Sequence, residues 1–435
     1  MSDKDNKALY ERYFSPCLAK STHLMIERGQ GPYLFTSEGG RYLDLVQGIA
    51  VNALGHGHPE VLAAAKVQMD KIVHGSFNLA DFEPTLELGR TLAGLSPEGI
   101  EMFFLTNSGA EAVEGCLKLA RQVSGRSSYL AFRGGFHGRT WGAASITSSS
   151  VRFRQGYAPF LPQVYFSPYP YCFRCPFGRE EESCSLECLR SIETDFLTII
   201  PAQEVAAAIF EPVLGEGGYV VPPAKYVRGL RELCDRHGIL LVFDEVQTGI
   251  GRTGKLFASE HYGVVPDAMS LGKALGGGFP LGVVASTPEL MGRWETGAHG
   301  TTFGGHPVAS ATALAVLGRV SEPDFLAGVE KLGQRFREGL MELQSAHPGL
   351  DDVRGLGLMN AVELTKDGRE PDPERATKVV EFLREEKKIL VLTCGLYKNV
   401  VRFIPPLNLE PELLDQVLEG LDQALESTAR SKKGS

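Results

Sequence analysis

Asp244 and Glu245 close the apolar run ILLVFDEV (239–246), and Lys273 stands in PDAMSLGKALGGGFPLG (266–282). A strand as apolar as Ile239–Phe243 is expected to be buried on both faces, as in a parallel sheet. A carboxylate at its end either holds a ligand's cation or serves as a helix N-cap or loop salt bridge. An isolated lysine is usually solvated, but burial beside carboxylates lowers its pKa towards Schiff-base chemistry. Three further stretches offer partners. NSGAEAVEG (107–115) reads as small residues opening a helix, either a phosphate cradle of free N–H groups or a plain N-capped turn. RGGFHGRT (133–140) offers Phe136 to stack on a ring, His137, and Arg139 to clamp a carboxylate, or is a surface loop with an ordinary ion pair. EPVLGEGG (211–218) adds Glu211 and Glu216. Together they describe one ligand. Ser108, Gly109 and Ala110 would take a phosphate, Phe136 a flat ring, Asp244 a protonated ring nitrogen and Lys273 an aldehyde. That ligand is pyridoxal 5′-phosphate (PLP), whose ring needs an acidic partner to act as an electron sink.

The elements that must position these residues follow from periodicity. MFFLT, SYLAF, AAAIFEPV, ILLVFDEV and GVVAS read as strands, and EAVEGCLKLARQV and AKYVRGLRELCDRHG as the helices between them. Such alternation predicts a mostly parallel, doubly wound α/β sheet, with ligands beyond the carboxyl ends of its strands. Pro59 opens a helix over PEVLAAAKVQMDKIV. The expected organisation is an N-terminal segment (1–58) of a small α+β domain, a large domain (59–307) with a cysteine-rich insertion at about 168–190, and a C-terminal small domain (308–435). The tail ARSKKGS is expected to fray.

Composition sets the outer bounds. The chain has 435 residues, 43% of them hydrophobic, and a net charge of -9. An acidic balance argues against nucleic-acid or anionic-membrane partners. The start is polar and no window approaches 18 apolar residues, so a soluble, cytoplasmic protein is expected.

On these motifs the chain resembles the class III, PLP-dependent aminotransferases of fold type I, from about Gly31 to about Leu407. FDEVQTGIGRTGKLFASEHYGVVPDAMSLGKALGGGFPLG resembles the family's cofactor signature in order and spacing, and NSGAEAVE, FHGRT, EPVLGEGGY and TTFGGHP are similar too. The resemblance implies that Lys273 tethers the cofactor and shuttles the substrate proton, and that Asp244 partners the pyridinium. It implies that Val246 packs on the ring face opposite Phe136 and that Gln247 meets the ring hydroxyl. His137 and Glu211 fall among the cofactor contacts. Thr302 resembles the residue that reaches the neighbouring subunit's phosphate, which implies a homodimer. The closest resemblance is to the 4-aminobutyrate, ornithine and acetylornithine group. There, the pair Glu216 and Arg402 implies a gate: the arginine grips the α-carboxylate of glutamate or 2-oxoglutarate, and the glutamate covers it otherwise. A charge switched between partners leaves no unpaired buried cation. Arg139 and Ile49 match positions that bind and shape the far end of the substrate, and Asn78 and Phe136 match positions near it. Asn78 stands where a glutamine is common, and Phe136 where a tyrosine is often found.

The implied activity is ping-pong transfer of an amino group from an ω-amino acid, with 4-aminobutyrate first, to 2-oxoglutarate. Ornithine or acetylornithine is the nearest alternative donor. A racemase or epimerase on the same scaffold, a decarboxylase, and a non-catalytic metal or partner module are other classes. The last rests on YPYCFRCPFGREEESCSLEC (169–188). Its C-x2-C-x8-C-x3-C spacing leaves three states open for Cys172, Cys175, Cys184 and Cys188: a tetrahedral zinc site, two disulfides, or packed thiols. A structural or interface role is expected there, and the acidic flank argues against nucleic acid.

Overall fold

The computed structural model describes residues 3–366 and 369–429, so most of the tail expected to fray lies outside the described residues. The chain first lays down three short strands, β1 (Ile26–Gln30), β2 (Tyr33–Thr36) and β3 (Arg41–Asp44). Seven more form the large sheet: β4 (Met102–Thr106), β5 (Ser128–Phe132), β6 (Val164–Ser167), β7 (Val205–Phe210), β8 (Leu240–Asp244), β9 (Ala268–Leu271) and β10 (Gly282–Ser286). Their spatial order is β4-β10-β9-β8-β7-β5-β6. All neighbours run parallel except β10, which is antiparallel to both β4 and β9.

Every residue of β5, β7, β9 and β10 is buried, as continuous apolar runs require when helices cover both faces. One cover is the helix Gly109–Ser124, whose Ala112, Cys116 and Ala120 share a cluster with Ala206, Ile209 and Val242. It lies close on β10, where a Cβ at Gly115 would meet Val284 Cγ2 at 2.4 Å. Ser108 caps its start through Glu111 N, and Gly125 ends it at φ 68° in the left-handed region. The helix Ala224–His237 covers the other face.

The last strands are β11 (Leu350–Leu356), β12 (Met359–Leu364), β13 (Ile389–Leu390), β14 (Leu392–Cys394) and β15 (Val400–Phe403). They form the sheet β11-β12-β15-β14, while β13 joins the N-terminal strands in the order β1-β2-β3-β13. Leu43 and Asp44 pair with Ile389 and Leu390. A second core contains Leu43, Leu45, Phe336, Val362, Leu383, Phe403 and Leu421, drawn from both ends of the chain. The helix Pro307–Val320 begins at the expected boundary, yet its Ala309, Ala313, Val316 and Val320 pack into the core of the large sheet. Ala53 and Leu54 do likewise. Among the described residues no helix is long and apolar enough to cross a membrane.

Candidate active site

The carboxyl ends of the parallel strands open on a cavity of about 310 Å³, lined by Gly109, Ala110, Phe136, His137, Gly138, Arg139, Glu211, Glu216, Asp244, Val246, Gln247 and Lys273. That volume suits a cofactor-sized ligand. Each segment arrives from a different strand end, which is why the residues are scattered in sequence.

Asp244 ends β8 and is 5% exposed. Its Oδ2 lies 2.7 Å from His137 Nδ1. Its Oδ1 accepts from Ser270 Oγ at 3.0 Å and from Val246 N at 3.1 Å. Burial opposes charge on His137, but the Asp244 hydrogen bond and the charges of Asp244 and Glu211 outweigh it and raise its pKa. Glu211 accepts from Phe136 N and Gly215 N, each at 2.8 Å. Burial pushes its carboxyl up to about 7; Asp244 adds to this, while His137 and the two N–H groups oppose it.

Lys273 follows β9 and holds φ 44°, a left-handed conformation uncommon for a residue with a Cβ. Burial brings its amine down to about 8, helped by Arg402 and opposed by Asp244, Glu211 and Glu216. Lys273 Nζ lies 3.4 Å from Gln247 Oε1, and Gln247 Nε2 donates to Tyr219 Oη at 2.8 Å. A lysine amine and a fixed carboxylate thus face one cavity.

The helix Gly109–Ser124 points its N-terminus at the same space. The Ser108 hydroxyl caps it at 3.2 Å from Glu111 N. A Cβ at Gly109 would meet Val246 Cγ1 at 2.5 Å, so the helix start can approach the turn after β8 only as glycine. The residues present therefore fit PLP: an anion cradle, a buried acid, a lysine and the apolar side chains of Phe136 and Val246 converge.

At the outer end Glu216 Oε2 lies 3.0 Å from Arg402 Nη2, and Oε1 lies 2.9 Å from Lys398 Nζ. Burial would raise the Glu216 carboxyl, but Arg402 and Lys398 hold it below the usual range. Arg139 is exposed, its guanidinium 5.3 Å from the Phe136 ring and 4.8 Å from that of Phe153. Among the described residues it makes no ion pair.

Three expected residues stand apart. Thr302 is exposed and does not line the cavity, although Thr301 Oγ1 beside it accepts from Asn107 Nδ2 at 2.8 Å. Asn78 is exposed and donates to Thr301 O at 3.3 Å. Ile49 is 45% exposed at φ 64° and lines a separate cavity with Leu34, Val46 and Leu392. Three contributors were not foreseen. Ser270 lies in a strand that lacks β-branched residues, Tyr219 follows a glycine pair, and Lys398 is a lone loop lysine.

In the cysteine-rich insertion the sequence leaves zinc, two disulfides or packed thiols open. Among the described residues no group of three or more His, Cys, Asp or Glu could hold a metal ion. Cys172, Cys175, Cys184 and Cys188 are free thiols lining one small cavity, and burial raises Cys172 and Cys188 to about 12 and about 11. The insertion is tied to the C-terminal sheet instead. Tyr171 Oη and Arg174 Nε both donate to the Glu363 carboxylate, which is 1% exposed. Arg354 Nη1 reaches the same group at 2.8 Å and Asn399 Nδ2 at 3.1 Å.

Comparison with known proteins places this architecture. The family Aminotransferase class-III matches residues 16–425. A probable 4-aminobutyrate aminotransferase of Bacillus subtilis (strain 168) is 35% identical over 95% of this chain and 96% of its own. A leucine/methionine racemase of Thermococcus litoralis is 37% identical over 98% and 96%. The solved structure of an amine transaminase from an uncultivated Pseudomonas species, PLP-bound, matches with TM-score 0.90 at 32% identity, covering 96% of this chain and 99% of that one. The chain belongs to the class III aminotransferases and is a PLP-dependent enzyme of the α/β fold type I architecture.

Proposed function

We propose that this aminotransferase takes the amino group of an ω-amino acid, 4-aminobutyrate first, and passes it to 2-oxoglutarate in two half-reactions at one cavity. The observation that carries the reading is the outer end of the site. Arg402 is masked by Glu216, while Arg139 at the cavity wall makes no ion pair among the described residues. An ω-amino acid has one carboxylate, for Arg139. 2-Oxoglutarate has two, and needs Arg402 unmasked. The Bacillus relative's name points to the same donor.

PLP, when bound, supplies an aldehyde for the amine and an electron sink for the charge left at the substrate carbon. Lys273 would tether it and carry the substrate proton, for which an amine near pKa 8 is matched to neutral pH. Asp244, fixed by His137 and Ser270, would hold the ring nitrogen's proton. The N–H groups at Ser108–Ala110 would hold the phosphate, Phe136 and Val246 the ring, and Gln247 its hydroxyl, with Glu211 bracing Phe136 N. Thr302 would complete the phosphate site of a second copy in a homodimer. Its exposure outside its own chain's cavity, and the exposed Phe303 and Leu86, support that assembly. A cytoplasmic setting fits this chemistry.

A racemase is the second reading, favoured by the name of the Thermococcus relative. The test mixes PLP-loaded enzyme with single amines and no oxo acid. Loss of the cofactor's visible absorption with 4-aminobutyrate is expected. Loss of optical activity in an α-amino acid, with no response to any ω-amine, would replace transfer by racemisation.

A further inference from the structure

Glu216 is held by two cations on two different oxygens, and they are unlike. Arg402 is 5% exposed on β15, whereas Lys398 is 45% exposed on the turn before it. The same turn carries the backbone of the Glu216 loop. Gly395 N donates to Glu216 O at 2.9 Å, and Lys398 N donates to Gly395 O at 3.1 Å. Gly218 (φ 123°) lies against this turn so closely that a Cβ there would meet Gly395 Cα at 3.3 Å. Arg354 Nε fastens Gly218 O at 2.8 Å. Loop and turn are therefore one packed unit, with Lys398 at its wet edge and Arg402 at its dry one.

This difference bears on the gate, on whose reading the inference rests. For a second carboxylate to reach Arg402, the Glu216 side chain must leave it. A carboxylate 20% exposed would then lose its partner and keep much of its desolvation cost. Lys398 already grips the other oxygen, so Glu216 can swing on Oε1 and release Oε2 without becoming unpaired. We propose that Lys398 is a positioning residue for the 2-oxo acid half-reaction: a second post that holds Glu216 when Arg402 is given to the substrate. It touches neither cofactor nor reacting atoms.

The test compares PLP-loaded wild type, Lys398→Met, Lys398→Arg, Glu216→Gln and the double variant Lys398→Met/Glu216→Gln. Readouts are KM and kcat for 4-aminobutyrate and 2-oxoglutarate, and the Kd of glutarate, a dicarboxylate without an oxo group, by calorimetry. Lys398→Met should raise the 2-oxoglutarate KM and the glutarate Kd by about two- to fivefold relative to the donor KM, the range of a partly exposed ion pair. Lys398→Arg should restore both. In the Glu216→Gln background, Lys398→Met should add nothing, because the carboxylate it serves is gone. Equal rises in both KM values without rescue by arginine, or a full Lys398→Met effect in the Glu216→Gln background, would reduce Lys398 to turn packing and overturn the proposal. Failure of the gate itself looks different: Glu216→Gln would then leave the donor and 2-oxoglutarate KM values in their wild-type ratio. If Glu216→Gln changes that ratio while Lys398→Met does not, the gate stands and the second post falls. Lys398→Gln, which keeps a polar side chain at the turn, replaces the methionine variant if that fails to fold.

Discussion

Asp244 and Glu216 each meet a basic side chain in the same cavity, Asp244 through His137 at 2.7 Å and Glu216 through Arg402 at 3.0 Å. Their settings differ. Asp244 is gripped wholly from the large sheet: by the loop after β5, by Ser270 on β9 and by its own turn. Glu216 also hangs from that sheet, but both its cations belong to the C-terminal layer around β15. An acid that must stay on one atom of a cofactor is built within one layer, with three donors fixing it and a lone pair left for the ring. An acid that must change partners is built across a seam, with a neighbour to spare. Rigidity and exchange are thus obtained from the same residue type by choosing where its donors come from.

The sharpest way to break the comparison is Asp244→Asn. A fixed electrostatic partner serves both half-reactions, so kcat should fall by about 10²- to 10⁴-fold in each. Stopped-flow measurement of the two halves separately checks this, and loss in one half alone would show that Asp244 is not a fixed partner. Arg402→Ala should act across the seam. It should cost about 2–5 kcal/mol in kcat/KM for 2-oxoglutarate, the range for truncating a buried charge partner, and far less for the amine donor. Steady-state kinetics with each substrate varied would detect it, and equal losses on both would sink the gate. The smallest effect is on pH. With the Lys273 amine near 8, the neutral nucleophile grows about tenfold per pH unit below that value and levels off above it. The rate of PLP uptake by apoenzyme should follow that curve. A rate still climbing into the ordinary lysine range above pH 10 would remove burial as the cause.

Much of the large sheet was legible because its strands announce themselves. MFFLT, SYLAF and GVVAS are the strands observed at 102–106, 128–132 and 282–286. AMSL, four residues without β-branching beside Pro266 and Gly272, carries no strand signal of its own; it becomes β9 because β8 and β10 pair with it on either side. The antiparallel course of β10 carries no sequence mark at all, since direction is set by where the chain returns. At the site, residues at strand ends were readable because that edge collects ligands. Lys398 was not, because nothing in GLYKNV points to an acid 182 residues earlier; only the packing of two glycine turns joins them.

Glu363 has a consequence for anyone who would cut or transplant this chain. The cysteine-bearing insertion supplies two of its donors, Tyr171 and Arg174, while Arg354 and Asn399 come from the C-terminal third. The insertion is therefore not a cassette. A chimera that trims it while keeping residue 363 acidic would strand half the partners of a carboxylate that has almost no access to water. Lineages that shed the loop should be found to have changed the acid with it.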